Sequence, residues 1–158
     1  MSISDYWIKE FLQSDFKTTP AAGTRRLAVA MRNAMEESSD VEIKSEIAAA
    51  AQLVESLPNQ RTSISAICSR FNFSSKTRNA VINELPNSET ASERFVFSSE
   101  EFARHIQYRS MELDNGGRLV ADAARFNSIF EVTQADADGN VAISTRGGIV
   151  DQRLRKSK

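Results

Sequence analysis

The spacing of apolar positions changes once along this chain. Up to Pro86 they recur at the period of one helix face. From Tyr108 onward they alternate, as in a half-buried strand. The first periodic stretch, Ser2 to Gln13, predicts a short amphipathic helix with Tyr6, Trp7 and Phe11 on its apolar side. Lys17 to Gly23 reads as a break, because Pro20 opens a helix and Gly23 loosens one. A helix then follows from Thr24 to Glu37, with Leu27, Ala30, Met31, Ala34 and Met35 facing inward. Ser39 starts another, with Glu42 at capping-box spacing. Val41, Ile43, Ile47, Ala50, Ala51, Val54 and Leu57 carry it until Pro58.

Arg61 to Pro86 predicts two short helices joined by a tight turn. Thr62 or Ser63 caps the first, whose apolar face is Ile64, Ile67, Cys68 and Phe71. Asn72 sits where the chain must turn sharply, and Asn tolerates the left-handed conformation. Ser74 or Ser75 caps the second helix, carried by Val81, Ile82 and Leu85 and stopped by Pro86. This is the pattern of a helix-turn-helix, whose second helix enters the major groove of DNA. Its exposed start would show Lys76, Arg78 and Asn79. Arg78 departs from the pattern, since its position usually holds an apolar residue. Either the helix is rotated, or this is a different helical hairpin.

Asn87 to Glu93 is polar and unpatterned, and reads as a linker loop over 87–94. Phe95 to Phe97 predicts a short strand, and Ser98 with Glu101 opens a brief helix through Phe102 and Ile106. Two hairpins follow. One turns at Asp114-Asn115-Gly116-Gly117, the other at Asp136 to Asn140 between Ile129–Gln134 and Val141–Thr145. Ile149 to Lys156 is expected to form a short terminal helix. The fold class is therefore α+β. A helical bundle over 1–86 includes the helix-turn-helix-like segment 61–86, and a small antiparallel β-rich part spans 95–158.

Composition narrows the chemistry. The net charge of −1 gives no global pull toward nucleic acid, but residues 61–86 hold four basic side chains and one acidic, and the C-terminal end is also basic. No apolar run suits a membrane span, and the N-terminus lacks a signal-peptide pattern. Cys68 stands alone, so no intramolecular disulfide forms and a cytoplasmic home is expected. It reads as a core residue. His105 is the sole histidine, which excludes a histidine-based metal cluster, and it has no local partner pattern for a Ser-His-acid set. Asp136-x-Asp138-Gly139 resembles the start of a calcium loop, but Thr145 stands where a bidentate acid is needed, so a turn is the better reading. No active site, metal, cofactor or small-molecule substrate is expected.

LDNGGRLVADAARFNSIFEVTQADADGNVAISTRGGIVDQRL resembles the C-terminal end of the bacterial nucleoid-associated NdpA/YejK family. That family similarly ends with Gly-Gly, an alternating strand and a strand–acidic turn–strand. DYWIKEFLQSDF and SISAICSRF are similar to earlier segments of it, in the same order. Family members are about twice as long, so the likeness covers their C-terminal half. The resemblance implies association with bacterial DNA in the nucleoid, and it assigns no site residues.

The expectation is a non-enzymatic domain that binds double-stranded DNA through phosphate contacts, with little sequence preference. On charge and position, Arg70, Lys76, Arg78 and Asn79 would face DNA, and Arg153, Arg155 and Lys156 would add phosphate contacts. The alternative is a protein-interaction or homo-oligomerisation domain of a larger nucleoid or phage-defence protein, with Trp7, Phe11, Phe95 and Phe97 at the interface.

Overall fold

Thr19 fixes where the first described helix begins. Its hydroxyl accepts from the Ala22 amide at 3.1 Å, and Pro20 takes the first helical position, where no amide is needed. A computed structural model of the chain describes residues 19–54, 57 and 59–155. The predicted helix at Ser2–Gln13 lies outside them. Helix α1 spans Pro20–Glu37, so the expected break at Lys17–Gly23 is replaced by helix from Pro20 onward. Gly23 has a packing reason. A Cβ there would lie 2.3 Å from Cγ of Phe95, so glycine lets the Phe95 ring sit directly on the helix backbone.

Helix α2 spans Val41–Val54. Its start is held by Asp40, whose carboxylate accepts from the Glu42 amide at 2.9 Å, and not by the expected Ser39. The chain then enters strand β1 (Arg61–Thr62), helix α3 (Ile64–Arg70) and helix α4 (Ser75–Asn83). The expected 87–94 loop is a 3-10 helix, Ser88–Ser92, capped by Asn87 and burying Thr90 and Ala91. That burial is why the segment is ordered despite its polar composition. Strand β2 (Phe95–Val96) returns to pair antiparallel with β1, and helix α5 spans Ser99–His105 under a Ser98 cap.

Phe95, Phe97 and Phe102 join Leu27, Met31, Ile47, Val54, Ile64, Ile67 and Val81 in one hydrophobic cluster. The segment beginning at Phe95 therefore shares the core of the helices before it. The Phe97 and Phe102 rings meet tilted by 50°, with centres 5.7 Å apart, within this core. Phe95 and Phe97, candidates for an exposed interface, are thus corrected to core residues: at 3% and 1% exposure they have no surface to offer a partner. Trp7 and Phe11 lie outside the described residues.

Strands β3 (Tyr108–Glu112) and β4 (Arg118–Asp122) form the first predicted hairpin, with Tyr108 opposite Asp122 and Glu112 opposite Arg118. Gly116 takes a φ of 90° in its turn, a conformation glycine adopts without steric cost. A single turn, α6 (Phe126–Ile129), leads to the second hairpin, β5 (Glu131–Val132) and β6 (Ile143–Ser144). Its Asp136 carboxylate accepts from the amides of Asp138 and Asn140, both at 2.9 Å, which makes it a turn stabiliser. The fold is α+β, with the longer helices in the first half and small antiparallel strand pairs in the second. The expected terminal helix is absent over 149–155. Ile149, Val150 and Leu154 are almost fully exposed there, so no packing stabilises so short a helix. Among the described residues no helix is long and apolar enough to cross a membrane.

Candidate nucleic-acid interface

The α3–α4 hairpin forms as its sequence dictates. Ser63 caps α3, accepting from the Ala66 amide at 3.1 Å, and Ser74 caps α4, accepting from the Thr77 amide. Asn72 turns the chain with a φ of 54°, and the Phe73 amide donates back to the Cys68 carbonyl at 3.0 Å. Ile64, Ile67 and Cys68 are buried, and burial pushes the Cys68 thiol pKa up, which makes it inert.

The inward residues of α4 settle how this helix is turned. Thr77 and Val81 are fully buried, while Arg78 lies half-buried on the flank and Asn79 is exposed. Thr77, and not Arg78, therefore packs inward, a departure from the helix-turn-helix pattern. Glu46 of α2 explains how a threonine is accommodated. Its carboxylate accepts from the Ser74 amide at 3.1 Å, from the Ser74 hydroxyl at 2.8 Å and from the Thr77 hydroxyl. The Thr77 hydrogen bond is the main reason its pKa falls below the usual carboxylate range. The negative charge also sits at the positive end of the α4 dipole.

The predicted contact residues divide into three groups. Lys76 is held by α2: its ammonium pairs with Glu42 and, at 3.0 Å, with Asp40. These hydrogen bonds, Glu42 first, raise the Lys76 pKa, and the one from Lys76 lowers that of Asp40. Asp40, Glu42 and Glu46 therefore surround the helix end that a helix-turn-helix offers to DNA.

Arg70 and Arg78 form the second group. The Arg70 guanidinium donates to the Gln60 side chain at 3.4 Å, and that of Arg78 donates to the Ser69 hydroxyl at 3.5 Å. Ser69 is next to Arg70, and Gln60 is next to Arg61, an exposed arginine the sequence reading missed. Arg61, Arg70 and Arg78 thus stand on three consecutive elements, β1, α3 and α4, with Asn79 next to Arg78 in the chain. Among the described residues none of these arginines enters an ion pair.

Arg153 and Arg155 form the third group, exposed on the irregular C-terminal segment. Arg153 is paired with Asp151 at 2.6 Å, and no described contact joins either to the hairpin arginines. Lys156 lies outside the described residues. No family model, curated protein or solved structure matches the chain.

Proposed function

We propose that this chain is a non-enzymatic DNA-binding domain of the bacterial nucleoid type, which holds duplex phosphates with Arg61, Arg70 and Arg78. The observation that carries the reading is the arginine set, three guanidiniums on consecutive elements with no described carboxylate partner. Arginine donates in a fork that suits phosphate oxygens, and release of counterions drives such binding. The resemblance of the quoted segments to nucleoid-associated proteins supports the same reading.

The carboxylates around the start of α4 shape the mode. Asp40, Glu42 and Glu46 repel phosphates there, so end-on insertion of α4 into the major groove is disfavoured. Contact runs along the α3–α4 flank instead, and it reads backbone more than bases. Lys76 is engaged by Asp40 and Glu42, whereas Arg78 has no described carboxylate partner.

Paired variants test this division. R70E/R78E should weaken binding of a labelled random duplex at low salt about tenfold or more, while K76M, at equal helicity, should change it less than about twofold. Unchanged affinity in R70E/R78E would remove these arginines from the reading. A second reading, oligomerisation, draws on the exposed side chains of Ile149, Val150 and Leu154. Light scattering that shows a monomer across the working concentration range would count against it.

A further inference from the structure

On another face, α1, α2, α5 and β3 enclose a cleft of about 830 Å³. Its apolar lining comes from Met31, Met35, Ile47, Ala48, Ala51 and Met111. All five residues of β3, Tyr108 to Glu112, border it. The cleft thus follows the whole length of β3. β4 occupies one edge of β3, and among the described residues no strand pairs with the other.

The charge around the cleft is one-sided. Arg32, Lys44 and Arg109 line it, and among the described residues none enters an ion pair. Arg109 is half-buried, yet its described partners are neutral: the Asn127 side-chain amide oxygen at 3.4 Å and the Phe126 ring, whose centre is 4.4 Å from the guanidinium carbon. Its burial holds the guanidinium pKa below the ordinary value. Against these cations stand Glu36 and Glu112, and Glu112 is already paired with Arg118.

We infer that the cleft binds an extended acidic and apolar segment of a partner protein, added as a third strand to the open edge of β3. Backbone hydrogen bonds along the edge supply affinity and alternate side chains supply selectivity. Apolar side chains of the added strand lie over the methionines, whose flexible thioethers adapt to varied shapes. Its carboxylates meet Arg32, Lys44 and Arg109. This inference is independent of the DNA reading, because no residue is shared between the two surfaces.

Fluorescence polarisation with the full chain tests it. The probe is a short fluorescein-labelled peptide alternating valine and glutamate. Controls are a valine–lysine peptide and a valine–glutamate peptide N-methylated at the amides of one edge. The valine–glutamate probe should bind, the valine–lysine peptide about tenfold or more weakly, and the N-methylated one not detectably. K44E/R109E should weaken the probe about tenfold or more, with the circular dichroism spectrum unchanged, and R70E/R78E should leave it unaffected. No binding of the probe, equal affinity for both charge patterns, or indifference to N-methylation would each overturn the inference. So would a concentration-dependent dimer dissociated by the probe, which would make a second copy the occupant. Displacement of the probe by a synthetic peptide of residues 1–18 would assign the cleft to this chain's own N-terminal residues, and would overturn it too.

Discussion

Replacing Glu46 by alanine would unlock α4 from α2. The Glu46 carboxylate accepts three hydrogen bonds from Ser74 and Thr77, and Thr77 is fully buried. A hydrogen bond to a charged group contributes about 1.5–3 kcal/mol, and a buried donor left without its acceptor costs about 1–3 kcal/mol. Two features reduce the loss in E46A. The Ser74 hydroxyl still caps α4 and stands 3.1 Å from the Thr77 hydroxyl, and Glu46 itself is partly exposed. The expected destabilisation is about 2 kcal/mol, a fall in Tm of roughly 4–8 °C. Urea unfolding followed by circular dichroism reads it. The pH dependence gives a second signature. The folded pKa of Glu46 is depressed, so its stabilisation is fully present above the unfolded value and is lost as pH falls through the folded one. The gap between wild type and E46A should be full at neutral pH and narrow in acid, as pH falls from the unfolded carboxylate pKa through the lower folded one. A loss under about 0.5 kcal/mol at neutral pH would refute the clamp.

Two further substitutions probe separate parts of the fold. G23A should destabilise by about 1–3 kcal/mol in urea unfolding despite alanine's better helix propensity, because its Cβ would fall 2.3 Å from Cγ of Phe95; a neutral or stabilising result would contradict the close packing of β2 on α1. Glu84 shares a hydrogen bond with Glu37, which with burial and charge repulsion raises its pKa. A raised carboxylate pKa stabilises the fold only below the unfolded pKa, and that help is lost as pH rises through the folded value. E84Q should therefore stabilise at neutral pH, by less than about 1 kcal/mol, and the gain should vanish near pH 4, which thermal melts at both pH values would show.

What the sequence made legible was local. Ser63, Ser74 and Ser98 cap helices through hydrogen bonds that span a few residues, and Asn72 and Gly116 mark turns by conformational tolerance. Such signals depend on neighbours in the chain. The features that set the candidate site do not. Lys76 reads as an exposed cation until folding brings Asp40 and Glu42 to it, across 36 positions in the case of Asp40. Gly23 reads as a helix breaker until Phe95 needs its space. Phe95 and Phe97 read as possible interface residues because nothing nearby in sequence shows the helices that cover them. The 3-10 helix at Ser88–Ser92 is stabilised by burying Thr90 and Ala91, which no polar-composition rule reveals. The terminal helix failed for the opposite reason: its apolar residues have nothing beneath them.

The central claim is phosphate binding by the arginine set, and its most direct measurement is the salt dependence of duplex binding. Fluorescence anisotropy with a labelled random duplex, titrated from low to moderate salt, gives the slope of log affinity against log salt. Contacts from Arg61, Arg70 and Arg78 predict a slope of about −2 to −3, since each neutralised phosphate contributes roughly −0.9. Absence of binding at low salt, or a slope near zero, would contradict the claim.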